Sequence, residues 1–157
     1  MPSCADLWNR AQIDEGLRQV ELAFAAPRVG PYALQAAIAA EHARAAHPDA
    51  TDWEAIVALY QRLWSLQPTP VVALNRAAAV SMASGAEEAL RLVDRLAPDL
   101  DGYGPFHAAR ADFLRTLRRW PEAERSYERA IELATNDPER RFLEERLREA
   151  RRAFASP

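Results

Sequence analysis

The residues that could carry chemistry are few, and most of them fail on spacing. His42 and His47 are five apart, off the i, i+4 spacing by which one helix presents two zinc ligands. His107 and the lone Cys4 complete no metal spacing with them. Asp99-Leu100-Asp101-Gly102 has the opening of a calcium loop. The position that must close such a loop with a bidentate glutamate holds Arg110, so the segment reads as a surface turn. No glycine-rich phosphate loop, nucleophile elbow or local His–carboxylate pair is present. The expectation is a protein that is not an enzyme and uses no metal and no cofactor.

What remains is polar groups suited to holding a partner. Asn75 and Asp112 lead, with Gln35 and His42 weaker. Each falls in an alanine-rich segment, where small neighbours leave a polar side chain accessible. An amide gives a donor and an acceptor to a partner's backbone, but it also braces local turns. Arg76 and Arg110 stand near them, and buried pairs with Asp52 or Asp112 are their alternative use.

These residues need elements to position them. Three helical signals recur at near-constant spacing: Ile56-x3-Tyr60-x2-Leu63, Ala89-x3-Val93-x2-Leu96 and Ala123-x3-Tyr127-x2-Ala130. A repeat of about 34 residues with a helix-turn-helix in each unit is the tetratricopeptide (TPR) pattern. The small residue lets a partner helix approach, and the larger ones fill the space between helices. The fold expected is all-α, a TPR-like right-handed helical solenoid of about eight helices, three pairs with one flanking helix at each end. It is expected as one domain over 1–157, with a disordered start at 1–5, helical hairpins over 6–136 and a capping helix at 137–154. Asp6 is expected to cap the first helix, and residues 98–105 to form the longest loop. Trp53, Ile56, Tyr60, Leu63, Val93, Leu96, Leu114 and Tyr127 are the expected core, with Trp64 beside them. Leu143, Leu147, Ala150 and Phe154 form the single apolar stripe of the last helix. No segment alternates with period two for long enough to be a strand.

Composition narrows the setting. The 157 residues suit one domain able to bury a core without disulfides. All 20 basic residues are arginine, and the net charge of −3 marks no surface for nucleic acid or membrane. One cysteine fits a reducing, cytoplasmic setting. No apolar run approaches the ~18 residues of a membrane span, and there is no signal peptide.

Several longer runs stand in a fixed order. They are Gly30-Pro31-Tyr32-x-Leu34-Gln35-Ala36-Ala37-Ile38, Thr51-Asp52-Trp53, Pro70-Val71-Val72-Ala73-Leu74-Asn75-Arg76-Ala77 and Ala108-Ala109-Arg110-Ala111-Asp112-Phe113-Leu114. Glu122-Ala123-x3-Tyr127-Glu128-Arg129-Ala130 and Glu139-Arg140-Arg141-Phe142-Leu143 follow. Together they resemble the C-terminal TPR-like extension of a group of bacterial extracytoplasmic-function (ECF) sigma factors. The start, with Asp6, Trp8 and Ile13-Asp14-Glu15-Gly16, is similar to that family's junction behind the promoter-binding domains, although Met1 to Cys4 depart from it. Those domains are absent from this sequence, so an excised domain or natural fragment is expected, without DNA binding of its own.

The resemblance implies a regulatory protein-interaction module that contacts sigma domains, RNA polymerase or another regulator in the control of transcription initiation. The alternative is a free-standing adaptor that binds a peptide or partner helix. Either way the expected site is a concave face formed by the helices of residues 31–46, 71–83 and 105–117. In TPR proteins the Asn75 position points into that groove, and Asp112 takes a groove position in the next unit.

Overall fold

The computed structural model describes residues 4–25, 29–45 and 50–155. Among them are nine α-helices and no strand: α1 (Cys4–Phe24), α2 (Pro31–Arg44), α3 (Trp53–Leu66), α4 (Pro70–Ser84), α5 (Ala86–Asp94), α6 (Ala97–Leu100), α7 (Gly104–Thr116), α8 (Trp120–Leu133) and α9 (Asp137–Ala155). Eight are the expected long helices. The ninth, α6, is a four-residue turn that overlaps the start of the segment expected to be a loop. Pro98 fits its first turn and Leu100 anchors it at 6% exposure. The helix runs through Asp6, so that residue does not cap it, and Cys4 and Ala5 are helical rather than disordered. Pro27 and His47-Pro48-Asp49, where the sequence predicts that the first and second helices end, lie outside the described residues.

The chain forms two compact units, Met1–Val72 and Ala73–Pro157. In the first, α2 packs on both α1 and α3. Pro31 opens α2, and Leu34, Ala37, Ile38 and Ala40 form its buried face. α3 starts where Asp52 accepts the Ala55 backbone N–H at 2.9 Å, an ordinary N-cap. Ile56 and Leu63 are buried as expected. Trp53, Tyr60 and Trp64 are only half-buried. The apolar stripe of α3 is wider than its covered face, so its margins meet water. Burial still pushes the Tyr60 phenol above its ordinary pKa.

In the second unit α5 packs on α7, α7 on α8, and α8 on α9. Ala111 on α7 and Ala123 and Ala130 on α8 are completely buried, which allows the close helix approach that Leu114 and Tyr127 then fill. Gly85 joins α4 to α5 at φ +95°, a conformation that side chains rarely adopt. α5 ends at Asp94, earlier than its sequence suggests, so Leu96 leaves the helix and is half-buried. Val93, Leu114 and Tyr127 are buried as expected.

α9 begins with reciprocal capping. The Asn136 Oδ1 accepts the Glu139 N–H at 2.9 Å, and the Glu139 carboxylate accepts the Thr135 N–H at 3.3 Å. Leu143, Leu147 and Ala150 are buried. Phe154 is not: at 62% exposure it lies beyond the last covered turn, which corrects the expected four-residue stripe. Arg140 donates to the Ile131 and Ala134 carbonyls at 3.1 and 3.2 Å, satisfying the C-terminus of α8. Arg151 bridges Glu124 and Glu128 on the outer face of α8.

Candidate functional site

The four candidates divide between the units: Gln35 and His42 lie in the first, Asn75 and Asp112 in the second. Gln35 is exposed on α2. His42, also exposed, sets its ring edge-on against Trp53 of α3, with centroids 5.3 Å apart. That contact joins α2 to α3 and gives His42 a structural use. Asn75 is exposed on α4, and among the described residues none hydrogen-bonds its amide.

Asp112 differs from the others. Its Oδ1 accepts the Tyr127 hydroxyl at 2.5 Å, and Tyr127 is only 1% exposed. The Arg115 and Arg146 Nε atoms lie 3.6 and 3.9 Å from the same oxygen. One carboxylate therefore gathers a phenol from α8 and guanidinium groups from α7 and α9. Burial first, and then the bond to the Asp112 carboxylate, push the Tyr127 phenol far above its ordinary pKa. The phenol therefore stays protonated at physiological pH and donates to Asp112. Arg146 also stacks over the exposed Phe142 ring, 5.5 Å from its centroid.

Sequence reasoning missed this cluster, although a signal for part of it was present. Asp112 and Arg146 are 34 residues apart, one repeat, so they share a register position on successive first helices. Arg115 is three residues after Asp112 on the same helix, a spacing that lets opposite charges meet.

Arg110 takes partners other than Asp52 and Asp112, the alternatives that the sequence left open. Arg110 Nε donates to Asp94 Oδ1 at 2.7 Å, and one of its Nη atoms donates to Ser126 Oγ at 2.9 Å. It thus ties α7 to both α5 and α8, whereas Asp52 is occupied as the cap of α3. Arg76 has a buried Nε with no hydrogen-bond partner. His107 is buried and its Nε2–H donates to the Asp101 carbonyl at 2.7 Å, bracing the loop before α7. Among the described residues no cluster of three or more His, Cys, Asp or Glu side chains has the arrangement of a metal site. Among them, too, no helix is long and apolar enough to cross a membrane.

No protein-family model matches the chain. An uncharacterized protein of Rhizobium meliloti (strain 1021) is 49% identical over 141 residues, which cover 90% of this chain and 33% of that protein. The chain thus spans about a third of the length of the curated relative it matches. A solved structure described as the first TPR of Spaghetti (RPAP3) bound to HSP90 peptide SRMEEVD superposes with a TM-score of 0.57 at 25% identity. The superposition covers 66% of this chain and 81% of that one. The fold is TPR-like. A helical-repeat architecture was legible from the 34-residue period alone, and the superposition agrees with it.

Proposed function

We propose that the chain is a regulatory protein-interaction module of a bacterial ECF-type sigma factor, which controls transcription initiation by contacting the promoter-binding domains, RNA polymerase or another regulator. The observation that carries this reading is the ordered set of runs from Gly30 to Leu143 that resembles the TPR-like extension of those sigma factors. The size of the Rhizobium relative supports it. About two thirds of that protein lies outside the match, room for the two promoter-binding domains such a sigma factor needs. The described helices favour a protein partner over DNA. Their arginines are interleaved with acidic residues and gather on no single recognition helix, and the net charge is negative.

The superposed structure, which holds a peptide, favours a second reading, a free-standing adaptor for a peptide or partner helix. In both readings the recognition elements are the first helices of the repeats. Asn75 is the stronger of the original candidates, because its amide is exposed and unused. Promoter-directed transcription by the Rhizobium relative with core RNA polymerase separates the readings. The sigma-factor reading expects specific run-off transcripts, whose level changes when the matched 141-residue segment is removed. A relative that directs no promoter-specific initiation, with or without that segment, rejects it in favour of the adaptor.

A further inference from the structure

An open apolar cleft lies between α1 and α2, both in the first unit. Its volume is about 260 Å³, and Gly16, Leu17 and Val20 of α1 face Ala36, Ala39 and Ala43 of α2 across it. Gly16 leaves it wide, since a Cβ there would meet no atom within 4 Å.

The second wall of the cleft belongs to a helix that is apolar on two faces. Leu34, Ala37, Ile38 and Ala40 are the buried face of α2. Tyr32, Ala36, Ala39 and Ala43 form another row, at spacings of four, three and four, which is the seam of a paired helix. All four are exposed, Tyr32 to 87%. A helix with a second apolar face needs a second neighbour.

The row itself says which neighbour fits. Its spacing reads the same from either end. A second α2 laid antiparallel about a two-fold axis therefore brings residue 32 opposite residue 43, and residue 36 opposite residue 39. The one large side chain of each copy then meets the small Ala43 of the other, at the cleft that Ala43 and Gly16 leave open. Between the two rings alanine meets alanine, which allows the helices to approach closely. Charge does not oppose the pairing. Glu41 and Arg44, the charged residues of α2, bond to each other, and Arg44 also reaches Glu21 of α1. A helix of another protein would have to bring its own large residue for the cleft and its own recess for Tyr32, whereas a second copy supplies both.

We infer that the α1–α2 face is a self-association surface, on which two copies of the chain pair about a two-fold axis with Tyr32 of each seated in the α1–α2 cleft of the other. This holds for either reading of the function. The row is only roughly 16 Å long at about 1.5 Å per residue, so the dimer is small and reversible.

Sedimentation velocity of the chain from about 1 to 500 μM tests it. The expected result is a reversible rise from the monomer mass of 17.6 kDa to twice that mass, with a Kd of about 10–100 μM. Tyr32→Ala should weaken pairing at least about tenfold, and at about 1 μM it should melt like the parent, because the ring is exposed in the monomer. Gly16→Leu fills the cleft from within and should weaken pairing by at least about as much. Its melt should not fall, since the site is open and the loss of a glycine favours the helix. A chain that stays monomeric up to about 500 μM overturns the inference, whatever other helix the cleft then binds. A dimer that both variants keep at the parent affinity overturns it too, since the contact then lies elsewhere. Undiminished pairing of Gly16→Leu beside loss of pairing in Tyr32→Ala also overturns it, because the ring then does not seat in the cleft.

Discussion

Replacing Asp112 tests whether that residue serves stability or binding. Tyr127 is 1% exposed and donates its hydroxyl to Asp112 Oδ1 at 2.5 Å. In Asp112→Ala the phenol loses its acceptor in a buried position, which costs about 1–3 kcal/mol in general. The Asp112 side chain is 40% exposed, so water partly replaces the carboxylate, and about 1–2 kcal/mol is expected here. For a chain of this size that lowers the Tm by about 2–8 °C. Tyr127→Phe removes the donor and leaves the carboxylate with Arg115 and Arg146 close by, so about 1 kcal/mol is expected. The two losses share one bond, so the double variant should fall short of their sum by about 1 kcal/mol. Urea titrations of the four proteins by far-UV circular dichroism measure all three quantities. Additivity within about 0.3 kcal/mol would refute the claim that the pair acts as a unit. An Asp112→Ala variant that melts with the parent but loses partner affinity would return Asp112 to the binding surface.

The same structure sets other expectations. Gly85→Ala forces a Cβ into φ +95° and should cost about 1–3 kcal/mol in a urea melt, although the added methyl meets no neighbour within 4 Å. Arg118 adopts φ +58° in the turn between α7 and α8, so Arg118→Gly should stabilise the chain by up to about 1 kcal/mol. Tyr127 holds its proton in the folded state well past the ordinary tyrosine pKa of 10.0. Its contribution is full below that value and is lost as the unfolded phenol ionises above it, so stability should fall as pH rises past about 10, less so in Tyr127→Phe. Parallel slopes for the two proteins would remove Tyr127 as the cause.

The elements that the sequence made legible are those in which one physical rule acts alone. Tyr127, flanked by Ala123 and Ala130, announces a close-packed second helix because volume complementarity and the 34-residue period point the same way. α9 was legible because Leu143, Leu147 and Ala150 lie among charged residues on a single stripe, and those three are buried. α6 was not legible, since four residues carry no helical period. Trp53 and Tyr60 share the apolar stripe of Ile56, but the sequence does not say how wide a face its neighbours cover. For Arg110 the sequence left Asp52 and Asp112 open as alternative partners, and it bonds neither. Asp94, which it bonds, lies 16 residues earlier on another helix and outside any local spacing rule.

The proposed role of this TPR-like chain, serving a sigma factor by binding protein, is open to a direct binding measurement. Biolayer interferometry of the immobilised chain against core RNA polymerase, and separately against the non-matching two thirds of the Rhizobium relative, tests it most directly. The account predicts saturable binding to at least one of them at about 10 μM or tighter, the affinity of an ordinary transient regulatory contact. Absence of binding to both, by a chain that melts cooperatively in the same buffer, would contradict it.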